Sequence, residues 1–197
     1  MVITKNDTLI TAVEYAADTN LTLPYDDIDQ GSLQIVYAPI TAGVKTFKDT
    51  TTDPATDSIT VASHGYATGL KVALTTAGTL PAGLSATNYW MIVVNANTLK
   101  FATSMANALA GTAVDITDAG GTGNNTLTPA ALGAVVFTVQ VSNDGSNWFS
   151  TALTKTYSGA ANYFFALTDI YAKYLRLNTT IAAGQIALTA KLFGKKF

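Results

Sequence analysis

Apolar and polar residues alternate with a period of two along much of this chain. Val135, Phe137, Val139 and Val141 fall on one side, and Thr138, Gln140 and Ser142 on the other. That period predicts a half-buried strand over 135–142. Ile186, Leu188, Ala190 and Leu192 repeat the pattern over Ile186–Phe193. Shorter runs predict strands at Ser32–Ala38, Ser58–Ala62, Lys71–Thr75, Tyr89–Val94, Thr98–Ala102, Tyr163–Leu167 and Lys173–Asn178. Gly, Pro and Asn separate them. One segment reads as helix: Met105–Ala110, with Ser104 as the N-cap and Gly111 as the stop. Short strands spaced by about 8–12 residues with turn signals between them indicate an all-β sandwich or barrel.

Composition supports this reading and divides the chain. Charged residues make up 12% of the 197 positions, about half the usual share. Glu14 is the one Glu and Arg176 the one Arg. Exposed helix faces rely on such residues, whereas Thr, Ser, Asn, Asp and Gly favour strands and turns. Thr, Ala and Gly concentrate between about Thr46 and Pro129. Turn clusters border that window at Asp49–Pro54 and Gly120–Asn125, while Tyr and Phe concentrate outside it. The expected organisation is a discontinuous sandwich from residues 1–45 and 131–197. A small β domain with one short helix, residues 46–130, is inserted at an exposed loop.

A net charge of -2 gives no electrostatic footprint for nucleic acid. The absence of Cys removes disulfides, thiolate nucleophiles and Cys-ligated metals together. The longest apolar run, Tyr89–Val94, is strand length, so no membrane span is expected. Met1–Asp7 lacks the apolar stretch of a signal peptide, so synthesis in the cytoplasm is expected. A weakly charged, Thr-rich surface tolerates close packing against other chains.

Candidate chemistry is sparse. His64 is the one His, and with Ser63 and an Asp it suggests a triad. Its setting, Ser63-His64-Gly65-Tyr66-Ala67-Thr68-Gly69, lacks the Gly-x-Ser-x-Gly elbow and reads as a structural turn. Asp26, Asp27 and Asp29 could offer oxygen ligands to calcium, but their spacing departs from the EF-hand and reads as a solvated turn. No catalytic set, cofactor site or metal site is assigned, and the chain is expected not to be an enzyme. The most pointed motif is Asn143-Asp144-Gly145-Ser146-Asn147-Trp148, a tight hairpin loop. Trp148 either presents itself to a sugar or a neighbouring chain, or packs as a core residue. The candidate interaction residues are Trp148, Asn143, Asp144, Tyr157 and Phe197.

Two resemblances add function. The series Ser58-Ile59-Thr60-Val61, His64-Gly65-Tyr66-Ala67-Thr68-Gly69, Gly78–Leu84, Tyr89–Val94, Asn97–Lys100, Ala106–Gly111 and Asp115-Ile116-Thr117 resembles a module of tailed-bacteriophage virion proteins. It departs from the family's usual Tyr-Tyr at Tyr89-Trp90, and implies a structural or adhesive module with no catalytic set. The outer part is similar to small phage structural proteins of jelly-roll-like β-sandwich fold, through Gly31–Val36, Val139–Trp148, Tyr174–Leu177 and Leu192–Phe197. The Ser142–Trp148 and Lys173–Leu177 elements also look like discoidin-type carbohydrate-binding sandwiches. The resemblances together imply a virion structural protein, a capsid decoration or cement protein in the leading reading. The alternative is a tail, neck or fibre component that binds host-surface carbohydrate. Implied partners are major capsid or tail subunits, further copies of the chain in a homo-oligomer such as a trimer, and a host glycan.

Overall fold

A computed structural model describes residues 3–16, 19–23, 30–159, 161–168, 170 and 172–196. Asp26, Asp27, Asp29 and Phe197 lie outside the described residues. Strands account for more than half of the described residues, and helix for very little. The strands are β1 (Ile3–Tyr15), β2 (Thr19–Leu23), β3 (Gln30–Ile40), β4 (Lys45–Lys48), β5 (Thr52–Asp53), β6 (Ser58–Thr60), β7 (Lys71–Thr76) and β8 (Asn88–Asn95). They continue with β9 (Thr98–Ala102), β10 (Asn124–Pro129), β11 (Val135–Ser142), β12 (Phe149–Tyr157), β13 (Ala161–Leu167), β14 (Tyr174–Ile181) and β15 (Gln185–Lys196). The helix α1 spans Met105–Ala110; the Ser104 side chain accepts from the Asn107 N–H, and Gly111 closes it at φ 74°. Packing divides the chain into two units: Met1–Ile40 with Gly133–Ala182 and Ile186–Phe197, and Thr41–Leu132 with Ala183–Gln185.

The first unit holds two four-stranded sheets, ordered β1-β15-β3-β13 and β12-β11-β14-β2. Except for the β11–β12 hairpin, which stays within one sheet, consecutive strands of this unit alternate between the sheets, in the order of an eight-stranded jelly roll. The whole of the second unit's main segment enters in the connection from β3 to β11. The sheets face each other across Leu33, Ile35 and Tyr37 of β3, Phe137 and Val139 of β11, Phe165 of β13, Leu175 and Leu177 of β14 and Ile186 and Leu188 of β15, all buried. Tyr37 and Phe137 meet across the sandwich with ring centroids 5.3 Å apart. The alternation therefore does what its period implies over 135–139, with two departures at the strand's end. Val141, expected to face inward, is only half-buried. Ser142, expected to face outward, is buried because its hydroxyl is taken up by the loop that follows.

The second unit is a seven-stranded antiparallel sheet ordered β4-β10-β7-β8-β9-β6-β5. Its two edge strands are joined by the single 3-10 turn Asp49–Thr51. From Lys48 to Thr52 the chain spans at most about 14 Å. Six inter-strand spacings in a flat sheet would separate the edges by roughly 29 Å. The sheet must therefore curl until its edges nearly meet. Phe47 on the edge strand β4 and Phe101 on β9 confirm the curl, with ring centroids 6.1 Å apart. Ile59, Leu70, Met91, Leu99 and Leu127 fill the interior.

Five of the strands that periodicity did not reveal have physical reasons for being hidden. The β1–β15 register shifts twice, between Thr8 and Ile10 and between Ile10 and Val13, which breaks the period of two. β4 and β5 are too short to show a period. β10 starts inside the Gly120–Asn125 cluster read as a turn, and ends on Pro129, a residue tolerated at strand ends. β12 is a polar, Thr-rich strand with little buried surface.

Candidate interaction site

The loop between β11 and β12 is organised by one carboxylate. Asp144 Oδ1 accepts the Ser146 and Asn147 backbone N–H groups at 2.8 Å each. It also accepts the Ser142 hydroxyl at 2.9 Å. Oδ2 accepts the Asn147 side-chain amide at 2.7 Å. These donors, those of Asn147 first, hold the Asp144 carboxyl well below the ordinary carboxylate range. The Ser142 oxygen accepts the Gly145 N–H at 2.9 Å. Gly145, at φ 74°, supplies the left-handed residue that the Asp-Gly pair predicts. Asn143 Oδ1 accepts the Lys173 N–H at 3.3 Å, tying the loop to the start of β14.

Trp148 is half-buried and is not a core residue. It lies against the outer face of the β12-β11-β14-β2 sheet, where the Arg176 guanidinium sits 4.3 Å from its ring centroid. Arg176 Nε in turn donates to Gln140 Oε1 at 2.7 Å. One aromatic face is thus already taken by a cation–π contact. Tyr157 belongs to a different cluster, with centroids 5.6 Å from Tyr37 and 6.3 Å from Tyr163. The structure brings Asn143 and Asp144 together but keeps Trp148 and Tyr157 out of their site.

The residue that joins Asn143 and Asp144 is Phe149, which sequence reasoning missed. It is 67% exposed. With Val141, Ser142, Asn143, Asp144, Asn147 and Ala172 it lines a cavity of about 150 Å³. A second cavity, about 270 Å³, shares Val141 and Ala172 and continues along Thr151, Leu153, Ala166 and Ile170. The pair forms an apolar floor with amide and carboxylate groups at one end, the usual make-up of a ligand groove. The signal available in the sequence was the Trp148-Phe149 pair, of which at most one ring can share a face with its neighbours.

In the second unit the His64 motif is spent on holding its own turn. His64 is 3% exposed. Its Nδ1 accepts the Tyr66 N–H at 2.9 Å, so Nε2 carries the proton and donates to the Asn95 carbonyl at 2.7 Å. Tyr66 donates its hydroxyl to the Gly43 carbonyl at 2.8 Å, and burial raises its pKa. Thr68 Oγ1 accepts the Val93 N–H at 3.0 Å. Gln185, which packs with this unit, donates to the Gly65 carbonyl and accepts from the Ala67 N–H, both at 3.0 Å. Gly65 and Gly69 take φ 67° and 91°, values that side chains resist. With both ring nitrogens engaged, His64 has no free nitrogen to serve a Ser63 nucleophile. Among the described residues, no group of three His, Asp or Glu stands where it could hold a metal ion.

No protein-family model matches the chain. No curated protein matches it. Among solved structures it is similar to VP17, a capsid protein of bacteriophage P23-77, at 10% identity over 100% of this chain and 96% of that one, with a TM-score of 0.26. It is also similar to the VP16-VP17 complex, a complex of the two major capsid proteins of the same phage, at 11% identity over 99% and 98%, with a TM-score of 0.27. Neither score reaches the range of a shared fold, so the functional reading rests on the residues and the topology.

Proposed function

We propose that this protein is a structural component of a bacteriophage virion, most specifically a capsid decoration or cement protein. In this reading the jelly roll binds neighbouring major capsid subunits, and the inserted β unit is carried at the particle surface. The observation that carries it is the division of labour in the fold. The Ser58–Thr117 series that resembles the phage module is used for internal hydrogen bonds. Large apolar side chains such as Phe149, Phe164 and Phe193 are exposed on the sandwich. Exposed rings on a weakly charged surface suit burial against other chains, where stable contacts remove about 1,200–2,000 Å². The mechanism is interface burial rather than bond chemistry. Mass spectrometry of purified particles should find the chain at a stoichiometric copy number, and its absence from particles would overturn the reading.

A second reading, a tail, neck or fibre component that binds host carbohydrate, is favoured by the Phe149 groove. The exposed ring offers a stacking surface beside the Asn143 and Asn147 amides, which suits a sugar hydroxyl pattern. A glycan array with wild type and Phe149→Ala tests it. Binding lost in the variant supports this reading, whereas an empty array removes it.

A further inference from the structure

The jelly roll has four free strand edges, and natural proteins protect such edges against pairing with other chains. Three are protected here in recognisable ways. β1 carries Lys5, Asp7 and Glu14 in its sequence. β2 is five residues long. β12 breaks register with β11 between Thr138 and Gln140; its Lys155 reaches across to the Tyr163 ring of β13, 5.0 Å from the centroid. β13 has none of these devices in its own sequence or register. Its sequence, Ala-Asn-Tyr-Phe-Phe-Ala-Leu, contains no charge, no Pro and no Gly. It pairs with β3 in unbroken register over all seven residues, from Ala161 opposite Tyr37 to Leu167 opposite Gly31. Among the described residues the sheet ends there, with no strand on its far side. Phe164, at its centre, is 61% exposed.

We propose that β13 is an assembly edge that pairs antiparallel with β13 of a second copy of this chain across a two-fold axis at Phe164. The occupant follows from the sequence of the strand. Antiparallel self-pairing places like positions near one another, so a charged strand repels itself, and β13 is uncharged. A two-fold at Phe164 sets Phe164 opposite its own copy, Tyr163 opposite the partner's Phe165, and Asn162 opposite the partner's Ala166. Faces match as well as sizes. Phe165 is buried and Tyr163 half-buried on the inner side, while Asn162, Phe164 and Ala166 are exposed on the outer side. The Phe164 rings then cover each other at the middle of one continuous eight-stranded sheet. An isologous contact of this kind is the commonest symmetry of protein oligomers. The inference goes beyond the virion reading and does not depend on it, because pairing is a property of the purified chain.

The test is mass measurement by light scattering and native mass spectrometry over a dilution series. Wild type should run at twice the 20.5 kDa chain mass. Phe164→Lys and Phe164→Glu should each run as monomers with unchanged circular dichroism, since the side chain is exposed within one copy. Mixing the two variants should restore a dimer, because Lys and Glu then face each other. Ala166→Lys, on the same exposed face, repeats the test if the Phe164 variants fail to fold. A monomeric wild type, an oligomer that survives Phe164→Lys, or a mixture that stays monomeric would each overturn the proposal. Particle mass spectrometry remains a separate readout, so this proposal and the virion reading can fail independently.

Discussion

Replacing His64 by Ala separates a structural motif from a chemical one. The substitution deletes the acceptor of the Tyr66 N–H at 2.9 Å and the donor to the Asn95 carbonyl at 2.7 Å. It also removes a ring packed 5.6 Å from Tyr66, at a site that is 3% exposed. Each buried group left without a partner costs about 1–3 kcal/mol. The expected loss for this unit is about 2–5 kcal/mol. A unit of fewer than 100 residues loses roughly 4–8 °C of Tm per kcal/mol, so a fall of more than about 10 °C is expected. His64→Asn should lie between, because a short amide can still accept the N–H two residues on but falls short of Asn95. Each unit contains one Trp, Trp90 in the second and Trp148 in the first. Trp90 fluorescence in a Trp148→Phe background therefore reports the affected unit alone. Thermal or urea melts followed this way should rank wild type above His64→Asn, and His64→Asn above His64→Ala. A His64→Ala melt within about 0.5 kcal/mol of wild type, the ordinary range for surface changes, would refute the account of the motif.

Three further outcomes are expected. Gly83→Ala should destabilise the second unit by at least about 2 kcal/mol in the same Trp90 melt, because the added Cβ would lie 2.0 Å from the Asp115 carbonyl at φ 97°. Phe137→Ala should cost the sandwich about 3–5 kcal/mol by Trp148 fluorescence, since the ring is fully buried against Tyr37. The Asp144 carboxyl is depressed below its ordinary 3.8, so its hold on the loop is fully present above that value and is lost as pH falls through the depressed folded-state value. The Ser146 and Asn147 amides should stay protected from hydrogen exchange at pH 4, and lowering the pH well below the carboxylate range should release them. In Asp144→Ala they should be unprotected at every pH.

Local signals were the legible part of this fold. The period of two placed the buried positions correctly at 135–139 and 186–192, because a strand whose one face is covered must alternate, and missed at Val141, where the loop begins. Ser104 and Gly111 marked both ends of α1, because a helix needs a side-chain acceptor at its start and a left-handed residue at its stop. β1 and β12 were not legible, since breaks in their register interrupt the period of two. At the candidate site, Asn143, Asp144 and Gly145 were readable as a loop because the Asp-Gly turn is a local preference. That Trp148 leaves the site and Phe149 enters it was not readable, because the choice depends on Arg176, 28 positions further along the chain.

By itself, then, the sequence determined the all-β class, most central strands, the short helix and the tight loop, all of which rest on neighbours a few residues apart. Tertiary structure decided the jelly-roll strand order, the curling of the seven-stranded sheet and the employment of both His64 nitrogens. It also decided which edge remains open. Those outcomes depend on strands that meet only after folding: β4 and β5 close a sheet across a three-residue turn, and β13 is an edge because β3 lies on one of its sides and no described strand on the other.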